Sequence, residues 1–440
     1  MITTLIGKTF LKAFNDKYSK DYSAKEFFEK EYYELFFNHP KYMQWVTNSP
    51  FVQMKSGQKP EKLTVAERLE KLQNLYAKAS GEMADASFAI GYPASETKEY
   101  ASTSGLVSDV LIETTEDDVY YSWMGSGLGI GVAGGFTLLI NDANILLETY
   151  EGWSCYRKYL NDDALEKLRG NQINSWNGQW LTYKLGKDFR DDFDFVELSK
   201  PSIDIFKVEN NLVEVNTVNW SNLFFSLSNF YPEKTLNAYV YSFGQTNKTI
   251  GFIPIYLKSG RRIVDVFKKL FHSEKAFETK EFQSLFGMHI KRACELGNIG
   301  LNALRPDSLK KYMYEEKNIS FKKEEDTINY QSYKTWLVAM LSKNKEEITD
   351  YTLEIAKLIQ RYRLGAKGTE RKTLIEKKLF GETSKKVFIN ALAEMVEGSS
   401  VEDAQKLKDL KDEIHLMTNE EFGYFNTLMK FDYAFTEKQS

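Results

Sequence analysis

A run of apolar residues spaced close to 3.6 residues apart predicts a helix within residues 24–37. Ser23 precedes this run and Glu26 stands three residues later, which is the pattern of a capping box. A second helix is expected across residues 65–79, with Thr64 as its cap. Its predicted apolar face carries Val65, Leu69, Leu72, Leu75 and Tyr76. The first 85 residues are therefore predicted to be helical.

Between residues 86 and 260 the pattern changes to short β-branched and aromatic runs separated by glycine-rich turns. The clearest predicted strands are residues 136–140, 213–218, 237–243 and 249–257. The last two flank residues 244–248, a loop of the length found in β-hairpins. The centre of the chain is therefore predicted to be rich in β-structure.

Helical spacing returns after Gly260. In residues 261–271 one predicted face is apolar and the opposite face carries Arg261, Arg262, Lys268 and Lys269. A polar, highly charged stretch at residues 314–329 predicts a domain boundary. Beyond it, apolar stripes at residues 348–362, 387–396 and 422–429 predict further helices, the first ending at Gly365.

These patterns predict an α+β protein, in which a mixed N-terminal domain with a central β-rich region precedes a C-terminal α-helical bundle. The expected parts are a helical N-terminal part at 1–85, a mixed α/β body with a β-rich core at 86–320, and the bundle at 330–440. Division into domains is expected because 440 residues exceed the size that one hydrophobic core usually organises.

Cysteine content and hydropathy bear on the compartment. Cys155 and Cys294 are far apart and outside any C-x-x-C pair, so neither a disulfide framework nor a zinc site is predicted. The N-terminal apolar run is broken by Lys8 and Lys12, unlike a signal peptide. No stretch approaches the roughly 20 uninterrupted apolar residues that a bilayer-spanning helix needs. We expect a cytoplasmic protein without a membrane partner.

The net charge of −4 does not favour a nucleic-acid-binding protein, but the charges are unevenly distributed. Residues 258–275 form one basic stretch, and residues 361–386 form a second, denser one. Within the second, cations flank two glycines at a predicted helix break, so that side chains from both sides can reach one phosphate backbone. The candidate residues are Arg361, Arg363, Lys367, Arg371 and Lys372. A merely solvated surface is the alternative for both stretches.

Residues 125–135 have the sequence GSGLGIGVAGG and include Gly127, Gly129 and Gly131. A dinucleotide site would need a strand before these glycines and a helix after them. Residues 119–124 are compatible with a strand, but residues 136–140 also have the pattern of a strand. Two other interpretations remain: a tight strand-turn-strand passage, and a flexible loop whose backbone can approach a nucleic acid closely.

A cluster of amides occupies residues 171–180 around Trp176 and Trp180. Amide side chains can both donate to and accept from base edges, which makes this segment a candidate for reading DNA. A turn whose amides bind within the protein is equally compatible. The candidate binding residues are Asn171, Gln172, Asn177 and Gln179.

Motifs for catalysis are missing from the sequence. The four histidines are scattered, and no G-x-S-x-G or catalytic Cys-His pattern is present. Although Asp and Glu total 62, the sequence does not bring any of them together. We therefore expect a protein that is not an enzyme and that uses neither a cofactor nor a metal.

Several long segments resemble the large subunit of type I-B-like CRISPR Cascade complexes. They are residues 25–53, 91–110, 123–135, 151–160, 168–186 and 239–257, and residues 350–380 are similar to the helical tail of such subunits. The resemblance implies a nuclease-free subunit that recognises the protospacer-adjacent motif (PAM), helps to open the duplex and presents the complex to a helicase-nuclease. Its implied partners are CRISPR RNA, target DNA and the other Cascade subunits. Some relatives carry paired C-x-x-C motifs that this chain lacks, so no metal is carried over.

Two alternatives to this function remain: a nucleotide- or metal-dependent phage-defence enzyme, and a structural adaptor without nucleic-acid contact. If the chain is a Cascade large subunit, at least one of the segments 125–135 and 171–179 is expected to approach target DNA at the PAM.

Overall fold

Helices dominate the chain, and the strands lie in its middle. The computed structural model describes residues 1–46, 49–81, 114–186, 189–190, 205–242, 248–271, 282, 285–288, 290–306, 308–315, 317, 321–341, 348–366, 368–381 and 384–439. A small antiparallel sheet precedes a C-terminal helical region, which confirms the predicted α+β class. No helix in these ranges is both long and apolar enough to span a membrane.

The chain forms two compact units. The first consists of residues Met1–Lys258 and His289–Ile299, and the second of Ser259–Met288 and Gly300–Ser440. Residues 314–329, where the sequence predicts a boundary, belong to the second unit.

As far as residue 230, the α-helices in chain order are α1 (Ile2–Tyr18), α2 (Ala24–Phe27), α3 (Glu34–Phe36), α4 (Val65–Gly81), α5 (Glu116–Gly127), α6 (Ala143–Leu160), α7 (Ile173–Lys184) and α8 (Trp220–Phe230). They are followed by α9 (Lys258–Phe271), α10 (Ile290–Leu296), α11 (Leu309–Tyr314), α12 (Glu324–Leu341), α13 (Ile348–Leu364), α14 (Glu370–Thr373), α15 (Lys385–Val396), α16 (Val401–Leu416) and α17 (Asn419–Gln439).

The main sheet has the strand order β1-β2-β5-β6, and all its pairs are antiparallel. Its strands are β1 (Ile130–Val132), β2 (Phe136–Ile140), β5 (Thr235–Ser242) and β6 (Lys248–Tyr256). A separate hairpin pairs β3 (Phe206–Glu209) with β4 (Leu212–Val215). The strands predicted at 136–140 and 249–257 and most of that at 237–243 are confirmed. The strand predicted at 213–218 ends at Val215, and residues 243–247 lie outside the described ranges.

Two central segments are helical where the sequence was compatible with a strand or a turn. Residues 119–124 belong to α5 rather than to a strand, and residues 173–180 belong to α7 rather than to a turn. Helix α5 is buried continuously from Ser122 to Gly127, so its sequence shows no polar face that would mark a helix.

The capping box predicted at Ser23 and the cap predicted at Thr64 are confirmed. The Glu26 N–H lies 3.2 Å from Ser23 Oγ, and the Glu67 N–H lies 3.2 Å from Thr64 Oγ1. The helix after Ser23 contains a π-helical turn, Phe28–Tyr33, between α2 and α3.

The predicted apolar face of α4 is partly wrong. Val65 and Leu69 are 70% and 49% exposed, whereas Lys71 is buried together with Leu72 and Leu75. The ammonium group of Lys71 donates to the carbonyl oxygens of Pro50 and Gln53, which makes its burial possible.

An aromatic core fills the first unit around Trp123 and Trp153, both of which are fully buried. Tyr32 stacks on Phe36 with ring centroids 4.0 Å apart and meets Trp153 edge to face at 5.6 Å. Its hydroxyl is satisfied because it donates to Gln44 Oε1 at 2.6 Å and to the Trp123 carbonyl at 3.0 Å. This ring therefore links three segments that are distant in the sequence.

Helices α1 and α5 cross in direct backbone contact. A Cβ atom on Gly7 would lie 2.0 Å from the carbonyl oxygen of Tyr121, and one on Gly125 would lie 2.0 Å from that of Thr3. The buried hydroxyls of Thr3 and Ser122 are 2.7 Å apart at the same crossing. Only glycine allows so close an approach.

In the second unit the predicted apolar stripes form the core. Phe388, Leu392 and Met395 of α15 are buried against α16, and Ile355 and Ile359 of α13 are buried as well. The described part of α13 ends at Leu364, which confirms Gly365 as the helix stop.

A charged residue is buried at the centre of this helical unit. Asp432 of α17 is fully buried, and its carboxylate accepts from Lys334 Nζ of α12 at 2.7 Å and from Thr352 Oγ1 of α13 at 2.8 Å. The hydroxyl of Tyr330 adds a longer bond of 3.3 Å. One carboxylate therefore joins three helices, and Lys334 itself is only 9% exposed in its side chain.

Substituting Gly125→Ala is expected to destabilise the first unit by about 1–3 kcal/mol or more, since the new methyl group collides with helix backbone. Gly423→Ala on α17 is the matched control, because no atom lies within 4 Å of its added Cβ. That change should be neutral or stabilising by about 0.5–1 kcal/mol. Calorimetric unfolding of both variants checks this, and a Gly125→Ala protein as stable as the wild type would refute the contact.

Asp432→Asn should cost about 3–5 kcal/mol of unfolding free energy, since the ammonium of Lys334 stays buried without its counter-charge. Denaturant titration measures the loss. The double variant Lys334→Met, Asp432→Leu should be more stable than Asp432→Asn alone, because no unpaired charge remains. Equal stability of the two variants would show that the ion pair does not carry the effect.

Candidate nucleic-acid interface

The glycine-rich segment 125–135 runs from the end of α5 through β1 into the turn before β2. Gly134 and Gly135 form that turn with φ values of 93° and 74°. The order is therefore helix, strand, turn, strand, and not the strand followed by a helix that a dinucleotide fingerprint requires. From β1 onward, the segment forms the strand-turn-strand passage that was one interpretation of the sequence.

The three candidate glycines of this segment are buried and face other parts of the protein. A Cβ atom on Gly131 would lie 2.9 Å from the backbone of Asn174 in α7, and one on Gly127 would lie 2.9 Å from the Tyr32 hydroxyl. Gly129 is enclosed by side chains, those of Asn174 and Thr137. Gly129 and Gly131 therefore let α7 pack closely against β1. Gly127 lets Tyr32 of the aromatic core pack against the end of α5.

The amides of α7 reinforce the same contact. Nδ2 of Asn177 donates to the carbonyl oxygens of Gly127 and Gly129, each at 2.8 Å, and Nδ2 of Asn174 also donates to Gly129 at 2.8 Å. The Asn177 side chain is fully buried. These bonds satisfy backbone carbonyls where the segment passes from helix to strand.

The two glutamines at this helix bind the end of β4 and the residue that follows it. Oε1 of Gln172 accepts from the N–H of Val215 at 2.9 Å, and Nε2 of Gln179 donates to the carbonyl of Asn216 at 2.9 Å. Asn171, which directly precedes Gln172, is by contrast exposed to solvent. The structure thus brings the glycines and amides together in one cluster, of which Asn171 is the exposed member. Contact of this cluster with DNA stays a prediction.

Helix α9 has the predicted apolar and basic sides. Ile263 and Val264 are buried, while Arg261 and Lys269 are exposed and Arg262 and Lys268 are half-buried. Nε of Arg261 lies 3.3 Å from Asp265 Oδ1 in a pair that is open to solvent. An exposed pair of this kind contributes little to stability and leaves the cation accessible to a partner.

The helix break predicted at residues 361–372 is present between α13 and α14. Its arginines bind within the helical unit. Arg361 pairs with Asp403 at 2.6 Å, and Arg363 pairs with Glu437 and donates to the hydroxyl of Tyr433. Lys367 lies outside the described residues.

Arg371 is the most extensively bound of these cations. Its guanidinium donates to the carbonyl of Tyr362 at 2.6 Å and to that of Gly398 at 3.4 Å, and lies 4.2 Å from the centroid of the Tyr362 ring. It therefore joins α14 to the ends of α13 and α15, a use suited to the rigid donor fork of arginine.

The lysines of the same run are more accessible. Lys372 is exposed and 3.7 Å from Glu376, a weak pair along one helical turn. Lys377 and Lys386 are exposed, and no residue in the described ranges forms an ion pair or a hydrogen bond with either side chain. Both belong to the basic stretch seen in the sequence, yet neither was singled out as a binding residue. The sequence holds no signal that separates them from the arginines bound inside.

Two groups often used in catalysis are uncharged at neutral pH. Burial, followed by the nearby Arg157 guanidinium, lowers the pKa of His39 to about 4, and its Nδ1 accepts from the N–H of Lys41 at 3.0 Å. Burial raises the pKa of the Cys155 thiol. Within the described ranges, no three His, Cys, Asp or Glu residues are placed to hold a metal ion.

No protein-family model, curated protein or solved structure matches this chain. These comparisons therefore leave the expected resemblance to the Cascade large subunit untested. That resemblance stays a prediction.

Arg371→Ala should destabilise the helical unit by about 1–3 kcal/mol, because two carbonyls lose a charged donor. The neighbouring Lys372→Ala is the matched control and should leave the unfolding midpoint nearly unchanged, since its pair with Glu376 is exposed. Denaturant titrations of both variants make the comparison. If the two variants unfold alike, Arg371 has no structural role.

Proposed function

We propose that this chain is the non-catalytic large subunit of a type I CRISPR RNA-guided surveillance complex. It works in the cytoplasm with CRISPR RNA, target DNA, the other Cascade subunits and a separate helicase-nuclease. The observation that carries the proposal is the set of exposed lysines in the basic run, Lys372, Lys377 and Lys386. The first two lie in the segment 350–380 that resembles the tail of such subunits.

The chemistry of these lysines suits the phosphate backbone rather than the bases. A lysine ammonium is a mobile point charge, which neutralises a phosphate without demanding a fixed geometry. Contacts of this type position a nucleic acid and add affinity that is independent of sequence. The arginines of the same run are engaged within the protein, so the lysines supply the attraction in this proposal.

PAM recognition needs a group that can read base edges. Of the predicted amides, Gln172, Asn177 and Gln179 bind backbone groups of the chain, while Asn171 is exposed. An amide can donate and accept in either groove, although the minor groove offers only a coarse code. In this proposal Asn171, just before α7, approaches the PAM, and the packing of α7 against Gly129 and Gly131 holds that helix in position.

We expect the triple variant Lys372→Ala, Lys377→Ala, Lys386→Ala to bind DNA more weakly in the assembled complex. The slope of log affinity against log salt should flatten by about 0.7–0.9 for each phosphate that is no longer neutralised. PAM preference should be unchanged, since phosphate contacts carry no base information. Binding titrations over a range of salt concentrations, on matched duplexes with and without the PAM, measure both quantities.

The control variant Lys12→Ala, Lys59→Ala, Lys62→Ala removes the same charge from exposed sites in the first unit. It should bind DNA like the wild type. If the triple variant Lys372→Ala, Lys377→Ala, Lys386→Ala is folded and assembled but its DNA affinity and salt slope are unchanged, the structural adaptor is favoured instead. Metal-dependent cleavage of DNA or RNA by the purified chain, abolished by one carboxylate substitution, would favour the phage-defence enzyme.

A further inference from the structure

A cavity of about 290 Å³ opens in the second unit between α11 and the start of α12. Four lysines line it: Lys311, Lys317, Lys322 and Lys323. Lys311 lies on α11, and Lys317, Lys322 and Lys323 lie between that helix and α12. In the sequence this region is only a polar stretch, with cations and carboxylates intermixed.

Within the described residues, the lysines of this cavity outnumber the carboxylates that line it. All four are exposed, and within the described parts of the chain no carboxylate forms an ion pair with any of them. Two carboxylates, Glu325 and Asp326, also line the cavity. Oδ2 of Asp326 already accepts from the backbone N–H of Lys323 at 2.9 Å. The cavity therefore carries an excess of positive charge that favours an anion.

The wall behind these lysines is fixed by packing. Tyr312 packs against Tyr333 at 5.4 Å between ring centroids and against Phe431 at 5.7 Å, and Tyr333 is only 4% exposed. The backbone N–H of Lys317 donates to the carbonyl of Lys311 at 3.2 Å, which holds the segment after α11 close to that helix. A cavity with a fixed wall needs little rearrangement to bind a ligand.

We propose that this cavity binds the phosphate group of a nucleotide, either free or within a nucleic-acid strand. Four lysines around one space supply several cationic donors, which suit the multiple charges and acceptor oxygens of phosphate. Tyr312 is half-buried and contributes part of its ring to the wall, which a sugar or base can contact. The volume is at the lower end of that of ligand pockets and suits a single small unit. This proposal concerns the chain alone and does not depend on the assembly proposed above.

The test compares the wild-type chain with the variant Lys317→Ala, Lys322→Ala. The probes are inorganic phosphate, adenosine monophosphate and a short thymidine oligonucleotide, each titrated by calorimetry at low and moderate salt. The control variant Lys310→Ala, Lys357→Ala removes two exposed lysines that do not line the cavity. Thermal melting of both variants establishes that they are folded.

We expect the cavity variant to bind about tenfold more weakly, the effect of losing about one charge-assisted hydrogen bond, while the control binds like the wild type. Binding of the mononucleotide would identify a free nucleotide as ligand, and binding of the oligonucleotide alone would identify a strand. Both support the site. Absence of binding to the wild type, or equal weakening in both variants, would overturn it.

Discussion

Direct contact between backbones, allowed by glycine, is the constraint on which the first unit depends. Gly7 and Gly125 let α1 lie against α5, and Gly131 and Gly178 do the same for β1 and α7, where a Cβ on Gly178 would lie 2.3 Å from the Gly131 carbonyl. A single methyl group at any of these points would separate two elements. The aromatic core around Trp123 and Trp153 is enclosed by the elements that these contacts bring together.

The same constraint explains why several candidate binding residues face inward. The glycines of 125–135 let α7 approach β1 closely. Asn177 of α7 can therefore donate to the carbonyl oxygens of Gly127 and Gly129, at and just after the end of α5. A similar division holds in the basic run, where the arginines join helices whereas Lys372, Lys377 and Lys386 remain at the surface. Arginine offers directional donors for buried carbonyls, whereas lysine readily keeps its charge in water.

Local patterns predicted several elements correctly. The structure confirms predictions that depend on nearby residues alone: the capping box at Ser23, the cap at Thr64, the strand at 136–140 and the stripe of α15. Helix α5 was missed because burial around its last turns removes the polar face that reveals a helix. The lysine-lined cavity was missed because it requires residues of α11 and of the segment before α12 to lie together, which is a property of the tertiary fold.

The buried carboxylate of Asp432 has a consequence for biosynthesis. It is supplied by α17, whereas the ammonium and hydroxyl that it binds belong to α12 and α13, which are translated earlier. Until α17 leaves the ribosome, Lys334 has no counter-charge, and burying its ammonium is unfavourable. Before α17 is made, we therefore expect the surfaces of α12 and α13 around Lys334 to stay in contact with water. The core of the second unit can therefore close only after α17 has been made, because its carboxylate completes the buried ion pair.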